Sequence, residues 1–266
     1  MTTNPLKIIF LILPLLLVSA TGLAQVKKNP KPQTTQPVVT ATPTPTPTPA
    51  PTPPPGKKNE RPADVKKPVT KGYTPVFFYS FVRPGFSFPE IYIEHDEAGR
   101  GQISFKKDAY DDLWTDPLTL SRVTMDNLKK AFTELNFIDS TEDYQYAAHD
   151  FSNMGNVTIT LKQAEKTRIA KYNWTENKEA KFLMDEYRRI SNEYTWKFEL
   201  VTARQNQPLL TPGLMDAING YYTRNDLTDP PHLVPFLTEL SSDERLPLMA
   251  RNRALKLIQQ IQKTKK

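Results

Sequence analysis

The sequence predicts an α+β fold, in which an antiparallel sheet from two β-hairpins carries helices on one face and leads into a small helical subdomain. Apolar and polar residues alternate with period 2 in two pairs of runs, each pair joined by turn-forming residues, and each pair is followed by an apolar stripe at helical spacing. Residues 206–262 contain no strand candidate at all. Hairpin, helix, hairpin, helix is the order of a sheet layered on one side by helices.

The elements follow in chain order. Val76–Phe81 is a β-prone apolar run, and its neighbours Phe86 and Phe88 extend a cluster of six aromatics expected to tie the first strand to the core rather than to form a sugar-stacking platform. Glu90–His95 alternates Ile91 and Ile93 against Glu90, Tyr92 and Glu94, residues 96–101 supply a turn, and Gln102–Lys107 alternates again. Ser121 is placed to cap a helix whose stripe is Met125, Leu128, Phe132 and Leu135. The second hairpin pairs Asn156–Leu161 with Thr167–Asn173 across a turn at residues 162–166. Thr175 can cap a further helix, buried on Ala180, Leu183, Tyr187, Ile190 and Tyr194 and running to about Arg204. Trp196–Leu200 also alternates, which leaves a strand open there. Three short helices are expected beyond, starting at Thr211-Pro212, Asp229-Pro230-Pro231 and Leu246-Pro247, because proline fits the first helical turn.

The N-terminal part is of another kind. Lys7, the apolar run Ile8–Val18 and small residues at Gly22 and Ala24 have the pattern of a secretory signal peptide over 1–24, with Gln25 first in the mature chain. Cleavage is favoured over a retained anchor, since the run is short for a membrane span and Pro14 interrupts it. Residues 25–72 read as a Pro/Thr-rich basic linker. Alternating Thr-Pro over 42–49 lacks half its amide donors and has fixed φ, so it favours an extended, solvated spacer. The expected organisation is therefore signal peptide 1–24, linker 25–72, α+β domain 73–205 and helical subdomain 206–266.

Charge excludes one class of function. The chain carries +6 overall, but residues 26–72 hold nine Lys/Arg against Glu60 and Asp64, and Lys7 adds one more, which leaves 73–266 at −2. The folded part lacks the basic balance of a nucleic-acid binder, so no nucleic-acid partner is expected. The absence of cysteine excludes disulfides, thiolate catalysis, Cys-ligated metal and lipoprotein-type acylation.

No residue pattern defines a catalytic, cofactor or metal site, and no cofactor is expected. The three histidines, His95, His149 and His232, are not at metal-ligand spacing. Glu94-His95-Asp96-Glu97 is the densest cluster of acid/base groups, read as a solvated hairpin tip. Ser104 and Lys107 match Ser-x-x-Lys but lie on opposite faces of a strand, and no Gly-x-Ser-x-Gly or phosphate loop occurs.

Residues 233–258 resemble a single HEAT-type helical repeat: an apolar first helix, an Asp-containing turn, and a second helix with Arg, Ala and Leu in order. One such unit must pack on a neighbour to be stable. The whole arrangement is similar to a family of exported bacterial proteins with a signal, a Thr/Pro linker and an α+β domain, a resemblance that implies export but neither an activity nor site residues. The resulting expectation is a non-enzymatic binding module of the envelope or extracellular space, with a protein or envelope-polymer partner and no transmembrane segment after cleavage. The alternative is a carboxylate-dependent envelope hydrolase using Glu94, Asp96 and Glu97.

Overall fold

The computed structural model describes residues 72–108 and 112–264. The signal peptide and nearly all of the linker expected from the sequence lie outside these residues. Six strands form one antiparallel sheet: β1 Phe77–Val82, β2 Glu90–His95, β3 Arg100–Lys106, β4 Trp114–Thr119, β5 Asn156–Gln163 and β6 Lys166–Tyr172. Their spatial order is β4-β3-β2-β1-β5-β6, so β1 joins the two hairpins by pairing with β2 on one side and β5 on the other.

The alternating residues sort as the pleat requires. Phe77 and Tyr79 of β1, Ile91 and Ile93 of β2, Ile103 and Phe105 of β3, and Val157, Ile159 and Leu161 of β5 all point into one core. Strand β4 goes beyond the expected pair of hairpins. It carries Pro117, which cannot donate to a ladder, and it lies at the sheet edge where that omission is tolerated. The second hairpin is tighter than the sequence suggests: Gln163 pairs with Lys166, leaving only Ala164 and Glu165 in the loop, with Ala164 at φ 51°.

Helix α1 (Arg122–Glu134) starts at Ser121, whose hydroxyl accepts from the Thr124 amide at 3.2 Å. It ends with Asn136 at φ 44°. The Phe137 amide bonds the Phe132 carbonyl at 3.0 Å, the Asn136 amide bonds Thr133 at 2.9 Å, and the two phenyl rings meet edge to face. This is a Schellman stop with Asn in the usual glycine position.

Helix α2 (Lys178–Asn206) runs 29 residues. Asn177, not Thr175, caps it, accepting from the Glu179 and Ala180 amides, while Thr175 accepts from the Asn177 amide one step earlier. Residues 196–200 are helical, and the alternation there reflects two buried sides. Ala180, Leu183, Tyr187, Ile190 and Phe198 belong to the sheet core, whereas Trp196 and Leu200 belong to a second core.

That second core is made with α3 (Thr211–Thr223), α4 (Pro230–Ser242) and α5 (Leu248–Thr264), through Met215, Ile218, Leu233, Leu237, Leu240, Ala254 and Leu257 among others. Proline opens α3 and α4 within the first two positions. Thr211 is itself the first residue of α3 rather than its cap, and its hydroxyl donates to the Pro208 carbonyl. No helix among the described residues is long and apolar enough to cross a membrane.

Candidate functional site

The four-residue cluster at the first hairpin is pulled apart by the pleat. Glu94 points to the open face of the sheet, where its carboxylate accepts from the Tyr73 hydroxyl at 3.0 Å. His95 points the other way and is fully buried, stacked on Phe77 with ring centroids 4.9 Å apart. Its Nδ1 lies 3.0 Å from the Asp96 carbonyl and its Nε2 3.0 Å from the Tyr187 hydroxyl. A carbonyl only accepts, so Nδ1 carries the proton and Tyr187 donates to Nε2. Burial pushes the imidazole pKa down to about 4, against a smaller upward pull from the Asp96 carbonyl and carboxylate.

Asp96 holds the turn. Its Oδ1 accepts from the Ala98 and Arg100 amides at 2.9 and 2.8 Å, and its Oδ2 pairs with the Arg100 guanidinium at 2.8 Å. Partial burial pushes its pKa up, but these donors outweigh it and hold the carboxyl below the usual range. Only Glu97 is the solvated tip residue that the sequence suggests. His95 and Asp96 are structural parts of the core and the turn, because a short strand end places one side chain inward and the next into the loop's own amides.

The other residues singled out from the sequence also separate. Ser104 bonds Thr115 at 2.9 Å, and Lys107 pairs with Glu199 at 3.5 Å, so the Ser-x-x-Lys match is not a unit. His149 is exposed, edge-on to Phe151 at 4.4 Å. His232 approaches Glu193 at 3.9 Å. Among the described residues, no three His, Cys, Asp or Glu could together hold a metal ion.

Two buried carboxylates carried no sequence signal, because each has, beside an Arg or Lys one turn on, a partner far along the chain. Glu186 meets Arg189 at 3.0 Å and accepts from Thr228, which also bonds Thr124 of α1. Glu193 meets Lys197 at 2.6 Å. Burial raises the Glu193 pKa, but His232 and Lys197 together outweigh burial and keep it low. Both carboxylates tie α2 to neighbouring segments.

The surface best suited to contact is the open face of the sheet. Across its central strands the register sets Gln102, Glu94, Phe78 and Thr160 in one row and Ser104, Tyr92, Ser80 and Thr158 in the next. Together they line a shallow hollow of about 230 Å³. Tyr92 is 39 % exposed and Phe78 half-buried, with the Lys162 ammonium 4.6 Å from the Phe78 ring centre. Charges at the margin are neutralised: Lys106 pairs with Glu90 at 2.7 Å, and the Tyr92 hydroxyl donates to the same carboxylate at 2.8 Å. The result is two aromatic rings among hydroxyl and amide groups, with the Glu94 carboxylate, bonded to the Tyr73 hydroxyl, as the one acidic group in the lining. Of the six clustered aromatics, Phe77 and Tyr79 are core and Phe81 and Phe88 pack against it, while Phe86 is exposed under the Arg83 guanidinium. Only Phe78 joins the open face.

The chain matches no family model and no curated protein. The reading of its function therefore rests on its own residues.

Proposed function

We propose that the chain is an exported, non-enzymatic binding module of the bacterial envelope or extracellular space. It contacts a neutral, hydroxyl-rich envelope polymer through the open face of its sheet. The observation that supports this reading is the hollow over β5-β1-β2-β3, where Phe78 and Tyr92 stand among Ser80, Gln102, Thr158 and Thr160, with Glu94 as a further acceptor. Half-exposed aromatic rings offer apolar contact area, and the surrounding donors and acceptors suit a ligand rich in hydroxyls. The Thr/Pro segment acts as the tether that displays this face. The α4–α5 pair, read as a single HEAT-type unit, serves as the support of α2 and as a second contact surface. A hydrolase using Glu94, Asp96 and Glu97 is less well supported, since Glu94 points to the open face while both Asp96 oxygens are taken up by the Ala98 and Arg100 amides and the Arg100 guanidinium.

Co-sedimentation of the full chain with purified envelope polysaccharide tests the proposal. Phe78→Ala/Tyr92→Ala is expected to weaken retention at least tenfold, about 1.4 kcal/mol. Retention through this face should survive about 0.5 M salt, because no charge pair carries it, whereas retention through the basic tether should not. Glu97→Gln, outside this hollow, should bind normally. Salt-sensitive retention indifferent to the aromatic pair sinks the proposal, and release of soluble sugar that Glu94→Gln/Glu97→Gln abolishes would establish the hydrolase instead.

A further inference from the structure

A second hollow, of about 360 Å³, lies at the end of the core between the hairpin turn after β2, the last turns of α1, the start of β1 and the end of β5. Its floor is apolar, made by Phe77, Phe132 and Phe137 with Leu161 as a wall. The Schellman stop of α1 builds this floor: Asn136 in the left-handed region turns the chain so that Phe137 folds back onto Phe132. Water occupies about 30 Å³ per molecule, so the hollow holds about a dozen non-hydrogen atoms.

Three charged residues line it: Lys129 from α1, Glu97 from the turn after β2, and Lys162 of β5. The Lys162 ammonium is placed over the Phe78 ring on the open face, which leaves Lys129 and Glu97 as the opposite charges on the rim. Among the described residues neither forms an ion pair, and although both line the same hollow they are not paired with each other. Their neighbours behave otherwise: Asp96 is bound to Arg100, and Lys130 to Glu134. A cation and an anion on the rim of one aromatic-floored hollow match a molecule that carries both charges next to one another and an apolar body beside them.

We propose that this hollow binds a small zwitterion with an apolar side chain, a free amino acid or dipeptide of about the size of phenylalanine. The ligand carboxylate meets Lys129, its ammonium meets Glu97, and its side chain lies on Phe132 and Phe137. This site is separate from the open face and does not depend on it.

The probe is L-phenylalanine, titrated into the full chain while the amide resonances of Asn136 and Gln163 are followed. Saturable shifts are expected, with Kd at or below about 10 mM. N-acetyl-phenylalanine, which lacks the ammonium, and phenylalanine amide, which lacks the carboxylate, should each bind at least tenfold more weakly. Glu97→Gln should lose as much for phenylalanine and nothing further for the N-acetyl form, and Lys129→Gln should mirror this with the amide. Both substitutions are at the rim, and an unchanged melting temperature confirms the fold. Failure to saturate, equal affinity for the capped forms, or shifts confined to Ser80 and Thr158 on the open face would overturn the assignment. Polysaccharide retention measured on Lys129→Gln keeps the two proposals apart, since it should be unaffected.

Discussion

His95 shows how one side chain can be exchanged between a chemical role and a structural one by a single step of the pleat. On the sequence it stands between two acids, but in the fold it sits under the sheet, neutral, between Phe77 and Tyr187. Gly101 opposite it has no room for a side chain: a Cβ there would run into the Glu94 carbonyl and come within 2.7 Å of the His95 backbone. The buried imidazole has a pH consequence. Its pKa falls from 6.5 to about 4 in the folded chain, so below pH 6.5 the unfolded chain binds a proton that the folded chain refuses. Stability from this residue is complete above pH 6.5 and is lost as the pH falls toward 4, by an amount on the order of 3 kcal/mol. Urea titrations at pH 7, 5.5 and 4.5 should show this decline in the wild type and a flatter profile in His95→Gln. Equal slopes for the two would mean that the imidazole is solvated.

Among the elements, the helix ends decide more than the stripes. The stripe of α1 and its Ser121 cap agree between sequence and structure because every partner is local. For α2 the cap moves from Thr175 to Asn177, since two hydrogen-bonding residues stand close together and in the fold it is Asn177 that accepts from the Glu179 and Ala180 amides. Asn177→Ala should cost about 1 kcal/mol, measured as a lower urea midpoint with an unchanged slope, and Asn177→Asp should keep most of it. Strand β4 is hidden in the sequence by Pro117 and by the lack of strict alternation. It is recovered in the fold because an edge strand needs only one ladder.

For the whole molecule, α2 is the strut that makes two cores interdependent. Tyr187 and Ile190 serve the sheet, and about two to four turns later Trp196 and Leu200 serve the helical bundle, with the Trp196 indole donating to the Leu214 carbonyl at 2.8 Å. Truncation at Asn206 would therefore strip partners from a helix that the sheet also needs, and it is a poor way to ask which half binds. Trp196→Ala should cost about 3–5 kcal/mol. The loss should appear as one transition, with hydrogen exchange at β1 amides accelerating together with those of α5. Two separate transitions, with β1 protection unchanged, would show that the halves unfold independently.

Local chemistry alone accounts for the α+β class, both hairpins, the start of α1, the apolar stripe of α5 and the placement of the positive charge in the Pro/Thr segment. Each depends on residues within a few positions of one another, where periodicity, capping and proline geometry act directly. The burial of His95, the roles of Glu186 and Glu193, the division of α2 between two cores and both hollows come from the assembled fold. The partners that decide these roles, such as Tyr187 for His95, Thr228 for Glu186 and His232 for Glu193, lie tens of residues away, and a side chain's surroundings, not its sequence neighbours, set its hydration, its charge and what it can touch.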